Sequence, residues 1–111
     1  MSYFSGSPRI LLKANPSNEV TEGDDVTLTC GAHGHPSPKV TWQKQGGFLP
    51  GGLMETDTPI LRLTPVRTSD EGAFVCTATN GIAPDGRNSI YLKVKGQLNV
   101  LDRMLNVSIN Y

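Results

Sequence analysis

Apolar and polar residues alternate in short runs along the chain, and turn-forming residues separate the runs. Val26, Leu28 and Cys30 occupy every second position of one run, with polar or small residues between them. Because successive side chains of a strand point to opposite faces, this period of two predicts a half-buried strand at residues 25–32. Further strands are predicted at residues 8–14, 39–44, 53–55, 60–63, 72–80 and 88–95.

These runs favour an all-β fold, because no helical period of useful length occurs among them. Seven or eight short strands at this spacing predict an antiparallel sandwich of two sheets. The 12 glycines and 8 prolines are somewhat above ordinary usage and suit short strands joined by turns. Residues 65–71 are predicted to form a crossing loop that buries Val66.

Length and charge narrow the classes of protein to which the chain can belong. Its 111 residues indicate one domain with a single core. Lys and Arg together number 10, as do Asp and Glu, so the formal net charge is zero. We therefore expect neither nucleic acid nor an anionic membrane as a partner. A neutral chain is instead prone to self-association, which predicts at most a weak homo-oligomer.

The two cysteines, Cys30 and Cys76, permit a single disulfide. In the loop-entropy model, closing a loop of this length stabilises a fold by about 4 kcal/mol. Such a bond persists only in an oxidising compartment. The residues alone leave the alternative open, because reduced cysteines also pack well in a core. Residues 1–7 lack the features of a secretory signal, and we interpret them as a flexible leader.

An ordered set of landmarks runs through most of the chain. Cys30 is followed by Trp42 and then by a spaced series that ends on the second cysteine. The members of that series are Leu61, Leu63, Val66, Asp70, Gly72, Phe74 and Cys76. The series resembles the E–F segment of an intermediate-set (I-set) domain of the immunoglobulin superfamily. Residues 34–42 and 76–81 are similar to the neighbouring segments of such domains, so the resemblance covers residues 8–95.

This resemblance implies an immunoglobulin-like antiparallel β-sandwich with seven to nine short strands and one inter-sheet disulfide. Cys30 and Cys76 would form that disulfide, and Trp42 would pack on it. Phe74 and Leu63 would point into the same core. The domain would occupy residues 8–95, between the leader at 1–7 and a linker or extra strand at 96–111.

One position departs from the family pattern. The family usually has tyrosine two residues before the second cysteine, where its hydroxyl bonds back to the backbone. Phe74 stands at that position here, so this hydrogen bond is not available. A hydrogen bond contributes about 0.5–1.5 kcal/mol. We therefore expect the substitution Phe74→Tyr to stabilise the domain.

Several short motifs suggest chemistry, but each is better explained as a turn. A metal site at His33 and His35 lacks further ligands, because both cysteines are assigned to the core. Calcium requires six or more oxygens from a shaped loop, and a nucleophile requires an adjacent base. We therefore expect no catalytic residue, metal site or cofactor. The remaining motifs are Asp24-Asp25, Asp70-Glu71 and Asp85-Gly86-Arg87, the last of which is first a hairpin signal.

Two surfaces are candidates for binding a partner. Strand alternation places one set of side chains on the outer face of the sheet expected to contain the strands at residues 39–44, 72–80 and 88–95. An ordinary solvated sheet explains this polar face equally well. The apolar loop at residues 48–54 is the second candidate, unless it folds under and closes the sandwich edge. The candidate residues are Lys39, Gln43, Val75, Thr77 and Tyr91 on the face, and Phe48, Leu49 and Met54 in the loop.

The last sixteen residues, 96–111, fit the domain poorly. Three interpretations remain: a linker to a following domain, an alternative final strand, or a segment that pairs with a partner. This region also contains the sequon Asn106-Val107-Ser108, which predicts glycosylation of Asn106. The similar motif at Asn15 is blocked by its proline.

From these features we expect a non-catalytic protein–protein interaction module of a cell-surface adhesion protein, receptor or extracellular matrix protein. Its partner would be the same or a different immunoglobulin-type or matrix protein. The parent protein would be extracellular, either secreted or held by a single membrane span. The alternative is a structural immunoglobulin module of an intracellular muscle or cytoskeletal giant protein.

Overall fold

A computed structural model of the chain describes residues 6–96, which form eight strands and two short 3-10 turns. The strands are β1 (Gly6–Asn15), β2 (Glu19–Thr21), β3 (Val26–His35), β4 (Lys39–Lys44), β5 (Glu55–Thr56), β6 (Ile60–Leu63), β7 (Gly72–Thr79) and β8 (Gly86–Lys95). The turns lie at Pro50–Gly52 and Thr68–Asp70. Apart from the very short β2 and β5, each strand alternates between more and less buried residues along at least part of its length, as a sandwich requires.

The strands form two sheets, which confirms the predicted immunoglobulin-like sandwich. One sheet has the order β1-β3-β6 and the other the order β2-β8-β7-β4-β5. All pairings are antiparallel except that of β2 with β8, which is parallel. The loop between β4 and β5, residues 45–54, joins two strands of the five-stranded sheet. The crossing loop between β6 and β7, residues 64–71, connects the three-stranded sheet to the five-stranded one.

A disulfide joins the two sheets at the centre of the core. It links Cys30 of β3 to Cys76 of β7, whose Cα atoms are 6.4 Å apart. Trp42 of β4 lies directly opposite Cys76 in the ladder and is fully buried. Its indole nitrogen donates a hydrogen bond to the carbonyl of Pro59 (3.2 Å). The one polar atom of this ring is therefore satisfied inside the core, as burial requires.

Apolar side chains from both sheets surround the disulfide. Each fully buried side chain of this size contributes about 1.5–3 kcal/mol through its removal from water. The crossing loop adds Val66, whose backbone N–H and carbonyl bond to the turn after β2. The largest fully buried side chains are Trp42, Phe74, Leu28, Leu63, Leu92, Val26 and Val66.

Strand β2 was not foreseen from the sequence. It has only three residues, of which Val20 alone is buried. A period of two cannot be recognised over so short a run. Its existence depends on β8, against which Glu19 pairs with Lys93 and Thr21 with Lys95. The pairing with β8, rather than the local sequence, therefore defines this strand.

Some strand boundaries also differ from the sequence-based expectation. Strand β3 continues to His35, through the first part of the expected loop, because β1 extends beside it and supplies a pairing partner. The short strand expected at residues 53–55 lies at Glu55–Thr56 instead. Leu53 forms an isolated bridge with Leu49 within the β4–β5 loop.

Lys44 lies beside Phe74, the residue at the position where the resemblance predicts a tyrosine. Its ammonium donates a hydrogen bond to the carbonyl of Ser69 in the crossing loop (2.7 Å) and lies 5.7 Å from the centroid of the Phe74 ring. Gly72 makes room for it, since a Cβ there would lie 3.0 Å from the Lys44 Cε, and its φ is +147°. A lysine from β4 thus anchors the crossing loop next to Phe74.

The disulfide can be tested by removing both sulfurs. We expect the variant Cys30→Ala/Cys76→Ala to lose about 4 kcal/mol in free energy of unfolding, because its unfolded chain regains the entropy of an open loop. Urea denaturation of the oxidised protein and the variant measures this difference. Reduced wild-type protein serves as the control and should resemble the variant. An unchanged denaturation midpoint in the variant would contradict the central role of the bond.

The Lys44 anchor changes what we expect of Phe74→Tyr. In the wild-type protein, the Lys44 ammonium already bonds to the Ser69 carbonyl of the crossing loop. The hydroxyl added by Phe74→Tyr should therefore change the free energy of unfolding little. In a Lys44→Met background, the same substitution should recover about 0.5–1.5 kcal/mol of unfolding free energy. A double-mutant cycle by chemical denaturation measures this coupling. Equal effects of Phe74→Tyr in both backgrounds would show that the two side chains do not substitute for each other.

Candidate functional site

The solvent side of β4, β7 and β8, called here the outer sheet face, brings together the side chains that alternation assigned to it. Across the ladder Gln43 pairs with Val75, and Val75 pairs with Ser89 on the far side. The neighbouring row contains Thr77, between Thr41 and Arg87. Further pairs are Lys39 with Thr79, and Ala73 with Tyr91. The sequence-predicted residues of the face therefore share one continuous surface.

Val75 lies on this face but is not available to a partner, which corrects the sequence-based expectation. Only 6% of it is exposed. It sits in the middle strand of the face, where longer side chains from both neighbouring strands cover it. Gln43, Gln45 and Arg87 line the same shallow hollows as Val75. Alternation gives the face of a residue, but it does not report the length of the neighbouring side chains.

Leu49 is also buried, contrary to its expected place on a partner surface. Only 2% of it is exposed, and it belongs to the core cluster. Its N–H donates to the carbonyl of Leu53 (2.8 Å), and its carbonyl accepts from Gly52 (3.0 Å). These bonds fold the middle of the β4–β5 loop back on itself and turn Leu49 inward. The loop thus both closes the sandwich edge and leaves other apolar residues in solvent.

Phe48 and Met54 are the exposed residues of that loop, and they face two different surfaces. Phe48 is 62% exposed and Met54 is 74% exposed. Met54 lines a shallow hollow of about 350 Å³ together with Val75 and Arg87, so it extends the outer sheet face. Phe48 instead lines a groove beside the crossing loop. The sequence alone did not separate these two roles, because they depend on how the loop folds.

Tyr91 is the large aromatic residue of the outer sheet face and is 55% exposed. Its hydroxyl lies 3.4 Å from one carboxylate oxygen of Glu71. The other oxygen of Glu71 accepts a hydrogen bond from the N–H of Val94 (2.9 Å). The backbone of β8 therefore holds the carboxylate that orients the tyrosine. Such an ordered aromatic residue loses little conformational entropy when a partner covers it.

Charges on the outer sheet face are mixed in sign. Lys39 lies 3.7 Å from the carboxylate of Asp57, and Gln43 donates to Glu55 (3.1 Å). Both members of the ion pair are well exposed, so the pair adds little to stability. Lys93 stands opposite Glu19 of β2. A mixed surface of this kind favours a protein partner with complementary charges over a uniformly charged polymer.

The motifs that suggested metal chemistry lie apart in the structure. His33 and His35 are exposed at the end of β3. Within residues 6–96, no three metal-ligating side chains form a group. The Asp24 carboxylate accepts from the N–H of Thr21 (3.0 Å) and closes the turn there. The Asp70 carboxylate likewise accepts from the N–H of Arg67 (2.8 Å), so both acidic motifs have structural uses.

Part of the sequence-based interpretation lies beyond the described region. The glycosylation predicted at Asn106 falls outside residues 6–96, as does all but the first residue of the linker or extra strand expected at 96–111. In the described part of the chain, no helix is long and apolar enough to cross a membrane.

Comparison with known proteins identifies relatives of the chain. A family model described as immunoglobulin domain matches residues 7–80. Myelin-associated glycoprotein of Homo sapiens is 34% identical over 80 residues, or 72% of the chain and 12% of that protein. The basement membrane-specific heparan sulfate proteoglycan core protein of Mus musculus is 39% identical over 74 residues, or 66% of the chain and 2% of that protein.

A solved structure agrees with these sequence matches. The crystal structure of Dpr11 IG1 bound to DIP-gamma superposes on the chain with a TM-score of 0.71 and 31% identity. The superposition covers 79% of this chain and 47% of that one. The chain thus spans only a small part of the curated relatives above and about half of the structural one. Similarity at this level concerns a single domain of each relative.

Proposed function

The chain belongs to the immunoglobulin superfamily, and on that basis we propose that it is a protein–protein interaction module of a cell-surface adhesion protein, receptor or extracellular matrix protein. The family is generally non-catalytic, and we propose the same of this domain. Within the chain, we assign the domain to residues 6–95, because β1 begins at Gly6 and pairs there with His35, two residues before the start expected from the sequence. The proposed leader shortens accordingly to residues 1–5, and residues 96–111 continue as a linker or an extra strand.

The outer sheet face is the surface to which we assign binding. The observation that supports it best is the pair of exposed, large apolar side chains, Tyr91 and Met54, beside a covered centre at Val75. Aromatic residues and methionine are enriched at protein interfaces, and a few such anchors supply most of the binding energy. The polar residues around them, Lys39, Gln43 and Thr77, supply the hydrogen-bonding rim.

The names of the relatives support a partner of the same protein class. In one similar structure, Dpr11 IG1 is bound to DIP-gamma, another protein with IG domains. We propose accordingly that the partner is another immunoglobulin-type protein, a matrix protein or a second copy of this chain. A neutral net charge permits each of these, because long-range repulsion between copies is weak.

An extracellular location is consistent with the disulfide between Cys30 and Cys76, since such bonds persist in oxidising compartments. The names of two relatives refer to myelin and to basement membrane. We therefore propose that the parent protein is secreted or displayed on the cell surface. These relatives give no support to the alternative of an intracellular muscle module.

Substitution on the outer sheet face tests the proposal. The full chain, clustered on a multivalent carrier, is applied to a panel of extracellular immunoglobulin-type and matrix proteins that includes the chain itself. We expect at least one interaction that the variant Met54→Glu/Tyr91→Glu weakens by roughly a hundredfold, because two anchors would be replaced by charges that binding must desolvate. Surface plasmon resonance measures the affinity.

The variant Leu11→Glu provides the matched control, because Leu11 is 72% exposed but belongs to β1 of the other sheet. It should bind as the wild type does. Equal losses in both variants would place the contact elsewhere. A panel without any interaction would contradict the proposed role as a binding module.

A further inference from the structure

A groove of about 720 Å³ separates the β4–β5 loop from the crossing loop. It lies beside β6, which is the outer strand of its sheet among the described residues. One wall is formed by residues 46–52 and the other by residues 62–65, 67, 69 and 70. The groove is distinct from the outer sheet face, and the proposed function does not use it.

Positive charge is concentrated in this groove. Its lining includes Lys44, Arg62 and Arg67, against the single carboxylate of Asp70. That carboxylate is engaged by the backbone N–H of Arg67 (2.8 Å). Both arginines are exposed. Among the described residues, the ion pair is that of Lys39 with Asp57, which lies outside the groove. The two guanidinium groups therefore have no carboxylate partner within residues 6–96.

Lys44 contributes charge but is not free to bind. Its ammonium is already held by the Ser69 carbonyl (2.7 Å) and lies near the Phe74 ring. Direct contacts to a ligand would come from Arg62 and Arg67, which present planar donor groups suited to a carboxylate. The groove thus combines two available cationic groups with one fixed positive charge.

An apolar contact lies at the rim of the same groove. Phe48 is 62% exposed and lines the groove with Pro50 and Pro65. The loop that presents Phe48 is held in shape by the bonds of Leu49 to Gly52 and Leu53. Gly51 and Gly52 adopt φ values of +83° and +78°, which other residues rarely reach. The aromatic ring is therefore offered by a preformed loop, which lowers the entropic cost of binding.

We propose that this groove binds an acidic, extended segment of a partner protein. Carboxylates of the segment pair with Arg62 and Arg67, and a neighbouring apolar side chain packs on Phe48. Among residues 6–96, the outer edge of β6 is not paired within its sheet, and the N–H and carbonyl of Ile60 at its start bond to the Thr58 hydroxyl. The part of this edge next to Arg62 can offer backbone groups to an extended chain, as in strand addition. A sulfated polysaccharide fits less well, because it has no backbone amides for a strand edge and no apolar side chain for Phe48.

The test uses the full chain and a short synthetic peptide in which Glu and Asp flank one Trp. Amide NMR spectra at low ionic strength report where the peptide binds. We expect the signals of Gly51, Arg67 and their neighbours to shift, and those of the outer sheet face to stay unchanged. A peptide with Gln and Asn in place of the acids should shift them much less, because it cannot pair with the arginines.

Two variants establish which residues are responsible. Arg62→Glu/Arg67→Glu should weaken binding by roughly tenfold or more, because the attraction becomes repulsion. Phe48→Ser should weaken it by about threefold through the lost apolar contact. The control Arg9→Glu/Lys13→Glu changes the net charge equally at two exposed cationic residues of β1, outside both the groove and the outer sheet face, and it should retain wild-type affinity.

Three results would overturn the proposal. The first is an absence of peptide-induced shifts in the groove. The second is an equal loss of affinity in the two double variants, which would indicate non-specific attraction. The third is a heparin oligosaccharide that shifts the groove signals while the acidic peptide does not. None of these results bears on the outer sheet face, so this proposal and the proposed function fail or succeed separately.

Discussion

The cross-link between the two sheets is the constraint on which the rest of this domain depends. The Cys30–Cys76 bond fixes β3 against β7, and Trp42 fills the space next to it from the adjacent strand. The positions of these groups set the register between β4 and β7. That register in turn determines whether each side chain of the two strands points into the core or towards solvent. A shift by one residue would turn Trp42 to solvent. The binding surfaces are consequences of that register.

This arrangement separates stability from recognition. The disulfide and the buried aromatic residues face inward, while the two candidate surfaces consist of side chains on the other side of the same strands and in their loops. Lys44 contributes to both stability and recognition, since it anchors the crossing loop and adds positive charge to the groove. Substitutions at Phe48, Met54 or Tyr91 can therefore alter binding with little effect on the fold, because all three are exposed.

The sequence predicted the sandwich well because its strongest signals are local and periodic. Alternation around Cys30 and before Cys76 needs no knowledge of distant residues. Other features depend on contacts that a linear pattern does not contain. Val75 is covered by longer side chains of neighbouring strands, and Leu49 is turned inward by the folding of its loop. The charged groove joins residues from two separate loops, and no sequence motif connects them.

The parallel pairing of β2 with β8 has a mechanical consequence. The N–H of Lys93 donates to the carbonyl of Asn18 (2.8 Å), and the N–H of Glu22 donates to the carbonyl of Lys95 (2.7 Å). Hydrogen bonds therefore hold the two strands together at both ends of this short pair. Because the strands run in the same direction, tension between the start of β2 and the end of β8 acts along the strands. All of these bonds then share the load, whereas an antiparallel hairpin pulled at its open end releases its bonds one at a time. This pair is where the domain would resist being stretched.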